Sequence, residues 1–269
     1  MDNKTTVISG RGFSNICDFI YCNRYTNHFD YDFSKIEENK KVFLNLDLFE
    51  KFLQKLKENP PKNKFILITH NSDSSFSDYH YNSISIFVNK IYALNNICNK
   101  SNVFTIPIGY RDFPIHLAPI HIYKNPLPIS CNKTTLCVFN SNVGTNSNAR
   151  NICNKLFTNK TWVLYEGKVN IARFSEQLQQ SKYVISPRGA GIDCHRTYEG
   201  LYYNCIPIIL SCELNQFYSK MPILIIDNWN CITQNYLEDK YIEYVDKLMK
   251  WKESNQDWMK ASFWISKEW

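Results

Sequence analysis

No apolar run in this 269-residue chain approaches the length of about 20 residues that a helix needs to cross a bilayer. The start, Met1-Asp-Asn-Lys-Thr-Thr6, also lacks the basic opening and long apolar stretch of a secretory signal. Together these absences predict a cytoplasmic protein with no transmembrane segment. The 10 cysteines contain no C-x-x-C pair. Spacings such as Cys17 to Cys22, Cys131 to Cys137 and Cys205 to Cys212 match neither a redox motif nor a familiar zinc site, so reduced and mostly buried thiols are expected. The formal net charge is +6, yet no run of five basic residues occurs, and a nucleic-acid partner is not expected. Gly10-Arg-Gly12 lacks the third glycine of a dinucleotide fingerprint, which argues against a Rossmann-type dehydrogenase or methyltransferase. Internal repeats and low-complexity tracts are missing too.

What remains is the composition of a folded enzyme-sized chain, 44% hydrophobic and 21% charged. Apolar segments alternate between strand-like and helix-like periods, which predicts parallel sheets. In the first half the pattern predicts a strand at residues 6–9, a glycine turn at 10–13, then helices at 46–58 and 83–94. Strands are predicted at 65–69 and 103–107. The second half predicts strands at 135–139, 161–164, 183–185, 205–210 and 222–226. Helices are predicted from about 148, at 171–181, 235–249 and 256–265. Two prolines in residues 124–130 mark a linker between the halves.

One stretch carries most of the functional signal. Ser186-Pro-Arg-Gly-Ala-Gly-Ile-Asp-Cys-His-Arg-Thr-Tyr-Glu-Gly200 comes after a buried strand and leads into a helix. In an open α/β sheet, ligands sit beyond the carboxyl ends of strands, where loop N–H groups and a helix N-terminus favour anions. Arg188 and Arg196 add permanent charge, and arginine pairs bidentately with phosphate oxygens, so a diphosphate is indicated over a single carboxylate. Glu199, one turn beyond Arg196, is placed to accept hydrogen bonds from sugar hydroxyls. Asp193 reads either as the N-cap of the adjoining helix or as a ligand contact. His195 reads either as a donor contact or as a packing residue of the loop.

The pattern S-P-R-G-x-G-x-D-x-H-R-x-Y-E, with a helix and the strand Cys205-Ile-Pro-Ile-Ile-Leu210 after it, resembles the donor-binding half of exostosin-like glycosyltransferases and related viral and bacterial enzymes of the GT-B type. Met221-Pro-Ile-Leu-Ile-Ile-Asp-Asn-Trp229 looks like the same family. Tyr198 stands where tryptophan is commoner, and Gly200 where alanine is commoner. The resemblance is strongest over about residues 136–240. It implies an α/β, GT-B-like fold with two Rossmann-like parallel-sheet domains facing a central cleft. Residues 1–128 would form the acceptor side. Residues 129–269 would form the donor-binding domain with its C-terminal helices, the last crossing back to the first half. The implied reaction moves a sugar from a nucleoside diphosphate sugar to a hydroxyl of a glycan or other acceptor, with inversion. No cofactor is implied beyond the nucleotide-sugar co-substrate, a UDP-sugar being favoured over a GDP-sugar. The rival reading is a nucleotide-sugar-binding protein without transfer activity. Asparagine-, lysine- and isoleucine-rich usage is associated with AT-rich genomes such as those of large viruses, in which case the location is the host cytoplasm.

The expected donor-binding set is Arg150, Arg188, Gly189, Gly191, Asp193, His195, Arg196 and Glu199. Arg150 enters through Thr145-Asn-Ser-Asn-Ala-Arg150, which resembles the family's T-N-x-x-x-R context; otherwise it is a helix-surface arginine. The general base is expected on the loop after the strand at 65–69, with Asp73 ahead of His70 and Asp112 next, since inverting transfer needs a proton acceptor near the incoming hydroxyl. No metal ligand is expected. Asp30-Tyr-Asp32 has the Asp-x-Asp form of a GT-A metal motif but lacks a preceding apolar strand.

Overall fold

Short runs such as Lys41-Val-Phe-Leu-Asn45 and Phe65-Ile-Leu-Ile-Thr-His70 join branched or aromatic residues to a polar terminus, which suits strands buried on both faces and ending in a binding loop. The computed structural model describes residues 7–24, 32–112 and 133–267. In the first unit the chain forms α1 (Gly10–Asn15), β1 (Phe19–Tyr21), β2 (Lys41–Asn45), α2 (Phe49–Glu58) and β3 (Phe65–His70). It continues through α3 (Asp78–Ile84), β4 (Val88–Ala93) and β5 (Val103–Thr105). All neighbouring strands are parallel, in the order β1-β2-β3-β4-β5. Phe49, Phe52, Leu53 and Leu56 recur at helical spacing along α2 and are buried against Val42, Leu44, Phe65 and Leu67.

The second unit comprises β6 (Thr135–Val138), α4 (Ser147–Phe157), β7 (Val163–Leu164), α5 (Ile171–Gln180) and β8 (Ser181–Ile185). It then runs through α6 (His195–Tyr202), β9 (Ile206–Leu210), α7 (Asn215–Tyr218), β10 (Leu224–Ile226) and α8 (Gln234–Ser254). Its sheet is again parallel, with the order β10-β9-β8-β6-β7. The chain goes from β6 to β7 on one side and returns to β8 on the other. The loops leaving β6 and β8 therefore diverge at a topological switch point, where parallel sheets bind ligands.

The expectation of two parallel-sheet units holds, with local corrections. Val7 makes an isolated antiparallel bridge to Lys260, and residues 7–9, the described part of the strand expected at 6–9, are not in a sheet. Gly10-Arg-Gly12 is no turn but opens α1, whose N-cap Ser9 accepts the Gly12 N–H at 3.0 Å. The expected helix at 83–94 is α3 and then β4: the spacing Ile84, Val88, Ile91 is helical, but pairing with β3 and β5 overrides it and selects the strand. Residues 257–267, with α9 (Ala261–Ser266), group with the first unit, the half to which the last helix is expected to cross back. There the Ile8 N–H donates to the Met259 carbonyl at 2.8 Å. The boundary at 128 and the linker at 124–130 lie outside the described residues. No described helix is long and apolar enough to cross a membrane.

Two details fix α6, the helix after the arginine-rich loop. Lys133 donates to the Leu178, Gln179 and Tyr203 carbonyls at 3.1, 3.0 and 2.9 Å, placing a cation at the carboxyl ends of α5 and α6. Gly200 lets α6 press on the sheet. A Cβ there would lie 2.8 Å from Val184 Cγ1 and 2.9 Å from the Cys205 carbonyl oxygen, closer than side chains approach. Gly200→Ala should therefore lower stability by about 1–3 kcal/mol through overpacking, despite the better helix propensity of alanine, as read from denaturant midpoints. An unchanged or raised midpoint would show that α6 shifts freely.

Candidate functional site

The loop from Ser186 to Cys194 leaves the carboxyl end of β8 and enters α6. Asp193 organises its second half. Its buried carboxylate accepts the Tyr198 hydroxyl at 2.7 Å, the Tyr218 hydroxyl at 2.8 Å and the Cys194 N–H at 2.8 Å. Burial foremost, and the Asp193 charge next, push both tyrosines well above the ordinary phenol value, so they stay protonated donors. Asp193 is thus an internal anchor of the loop. The N-cap position belongs to Cys194, which makes no side-chain cap, so the capping expectation for Asp193 fails by one residue. Tyr198 also gains a reason: its hydroxyl reaches Asp193.

Arg150 braces the first half of the loop. Its Nε donates to the Arg188 carbonyl at 3.2 Å and its Nη1 to the Asn142 carbonyl at 2.6 Å. Asn146 caps α4 by accepting the Ala149 N–H at 3.1 Å, and its Nδ2 donates to the Gly189 carbonyl at 2.9 Å. The loops after β6 and β8 are therefore stitched together at the switch point. Gly189 is where the guanidinium passes closest, since a Cβ there would lie 3.2 Å from Arg150 Nη2. Gly191 is buried within the same loop.

Arg196 lies in the first turn of α6, buried, with its guanidinium 5.9 Å from the Phe174 ring centroid. The Cys153 and Cys194 thiols, both raised chiefly by burial, each feel Arg150 and Arg196 as opposing positive charges, so the two guanidiniums share one neighbourhood. Glu199 is buried on α6 near Tyr203, whose hydroxyl is raised by burial first and in part by that carboxylate. His195 is half-buried at the first position of α6. Arg188 is the exposed member of the set.

A cavity of about 500 Å³ opens beside this loop, at the carboxyl ends of β8 and β9. Of the expected donor residues, only Arg188 lines it. Its remaining wall includes Pro187, Leu210, Ser211, Glu213 and Trp229. The segment after β9 was missed in the sequence. Its signal was nonetheless there, because the carboxyl end of every strand in a parallel sheet is a candidate binding edge, and the reasoning that singled out the segment after β8 applies equally to β9.

The expected catalytic residues lie in the first unit. His70 is the last residue of β3, not a loop residue, and is buried. Its Nδ1 accepts the Asn71 N–H at 2.8 Å, and Nε2 lies 3.2 Å from the Pro107 carbonyl, which calls for an Nε2–H. With Phe13 and Phe43 beside the ring, that geometry gives His70 a structural part. Asp73 is exposed on the loop after β3, as expected. Asp112 accepts the Arg11 N–H through both carboxylate oxygens, at 3.0 and 3.1 Å, at the start of α1. Asp30 lies outside the described residues, while Asp32 caps a short 3₁₀ turn by accepting the Ser34 N–H at 3.2 Å. Among the described residues, no group of three or more His, Cys, Asp or Glu side chains is arranged to hold a metal ion.

No protein-family model and no curated protein sequence matches the chain. Several solved structures are similar to it at low identity. An apo structure of OtsA is 9% identical, with 86% of this chain and 72% of that chain covered and a TM-score of 0.47. A T4 phage beta-glucosyltransferase is 13% identical, with 95% of each chain covered and a TM-score of 0.42. The pneumococcal O-GlcNAc transferase GtfA, in complex with UDP and GlcNAc, is 11% identical, with 85% of this chain and 53% of that chain covered and a TM-score of 0.38. Likenesses of this size carry no argument about substrate or chemistry.

The Asp193 anchor is directly testable. Tyr198→Phe and Tyr218→Phe each remove a hydroxyl from a buried carboxylate and should cost about 1–3 kcal/mol in urea unfolding. The double variant should lose less or more than the sum, because both hydroxyls share one acceptor. Strict additivity with small losses would show that Asp193 does not depend on them.

Proposed function

We propose that this chain is a nucleotide-sugar-dependent glycosyltransferase whose donor is held by the second unit. The observation that carries this reading is the gathering of Arg150, Arg188 and Arg196 around one loop at the switch point of a parallel sheet, beside a cavity that Arg188 lines. The exostosin-like pattern of residues 186–199 supports the same reading. Arg150 supports the loop backbone, and Arg188 and Arg196 supply the positive field. With the N-terminus of α6, they would offset charge on the departing nucleoside diphosphate without a divalent ion. A UDP-sugar is the favoured donor, and the reaction belongs in the cytoplasm.

In the proposed reaction the acceptor hydroxyl oxygen forms a bond to the anomeric carbon as the bond to the diphosphate oxygen breaks, inverting that carbon. The hydroxyl proton passes to a base, and the leaving diphosphate takes the bonding electron pair. The first unit supplies the acceptor side. Asp73 is the proposed base, because it is an exposed carboxylate on a loop after a strand, whereas both ring nitrogens of His70 face internal partners.

Calorimetric titration with nucleoside diphosphates tests the donor half. Arg188→Ala and Arg196→Ala should each weaken binding by about 1.5–3 kcal/mol, the range for a hydrogen bond to a charged group. Arg196→Lys, which keeps the charge, guards against a simple folding loss. Wild-type affinity in both alanine variants would remove the diphosphate site from this loop.

The base is tested by sugar transfer assayed in excess EDTA. Asp73→Asn should lower turnover by about 10²-fold or more while donor affinity stays unchanged. Wild-type turnover in that variant would place the base elsewhere, and loss of wild-type activity on chelation, restored by manganese or magnesium, would contradict the metal-independent reading.

A further inference from the structure

The cavity beside the donor loop is asymmetric in charge. Its lining includes one cation, Arg188 at the carboxyl end of β8, and one carboxylate, Glu213 beyond the carboxyl end of β9. Glu199, which the sequence pattern marks as the hydroxyl-binding carboxylate, does not line it. The wall also carries Pro187, Leu210 and Trp229, apolar groups suited to a flat heterocycle.

The position of Glu213 is fixed by its turn. The Ser211 N–H donates to the Ile226 carbonyl at 2.7 Å, tying the segment to β10. Asn215 accepts the Cys212 N–H at 2.9 Å and donates to Ser211 Oγ at 2.6 Å, closing the turn around Glu213. Cys212 also reports the two charges. Burial is the main cause that raises its thiol, and among smaller influences Glu213 raises it while Arg188 lowers it. Cys212 therefore lies within reach of both.

From this geometry we infer that the donor lies with its diphosphate toward Arg188 and its nucleoside toward β9, where Glu213 accepts hydrogen bonds from an adjacent pair of nucleoside donors. The inference rests on the nucleotide-sugar reading and adds to it an orientation and a specificity residue. Two donor pairs have this chemistry: the 2′,3′-hydroxyls of ribose, present in every ribonucleotide, and the N1–H and N2–H edge of guanine. Uracil offers a single N–H flanked by two carbonyls, which a carboxylate repels.

Calorimetry on the full chain separates these sources. UDP, GDP and their 2′-deoxy forms are titrated into wild type, Glu213→Gln and Glu213→Ala, with inorganic pyrophosphate as the probe for the phosphate end. The expected loss on either substitution is about 10- to 100-fold in nucleotide affinity, the size of one charge-assisted hydrogen bond. If ribose is read, UDP and GDP lose alike and the 2′-deoxy forms are already weak in wild type. If the guanine edge is read, the loss is confined to GDP and its deoxy form. In both cases pyrophosphate binding is not weakened by the Glu213 variants but is weakened by Arg188→Ala. Wild-type nucleotide affinity in both Glu213 variants overturns the inference while leaving the donor site standing. Failure of every nucleotide to bind the wild-type protein overturns the donor reading itself, and this inference with it.

Discussion

The second unit depends on a connection between two loops that its own topology drives apart. Parallel strands β6 and β8 are neighbours, but the chain leaves β6 toward β7 and leaves β8 toward β9. A crevice opens there of necessity, and its backbone carbonyls would face solvent or a ligand unless something bound them. The Arg150 guanidinium spans the gap by donating to Asn142 and Arg188 carbonyls, and Asn146 adds a bond to Gly189. Because these bonds consume carbonyl oxygens, the arginine-rich loop is left to present side-chain cations, chiefly Arg188. Asp193 performs the matching task at the other end of the loop through Tyr198 and Tyr218.

This division of labour changes how the charged residues of the motif are read. A pattern match treats all of them as ligand contacts. In the fold, Arg150 and Asp193 bind protein groups and hold the loop, Arg196 lies buried beside Phe174, and Arg188 faces the cavity. Pre-set loop geometry lowers the ordering cost of binding, so residues that hold the loop also affect a ligand's affinity.

Much of the second unit was legible because its strands are continuous apolar runs separated by polar loops and helices of clear amphipathic period. The predicted strand at 205–210 and helix at 171–181 match β9 and α5 to within a residue. The first unit was harder. β1 is three residues long, and its pairing with β2 is a long-range property that local pattern does not carry. Ile84, Val88 and Ile91 fall at helical spacing, and tertiary pairing overrode that local pattern. His70 was one residue from the predicted strand end, and that single residue separates a loop base from a buried side chain whose ring nitrogens face Asn71 and Pro107. Glu213 was overlooked because the motif drew attention to β8 alone, although a parallel sheet gives the end of β9 the same access.

The claim on which the rest turns is that the loops leaving β6, β8 and β9 form one donor site. Hydrogen–deuterium exchange with and without a saturating nucleoside diphosphate measures this most directly. Slowed exchange is predicted in residues 139–146, 186–202 and 211–214 together, because the ligand would hold loops that are already stitched to one another. Protection confined to other segments, or none at saturation, would contradict a donor site in this unit.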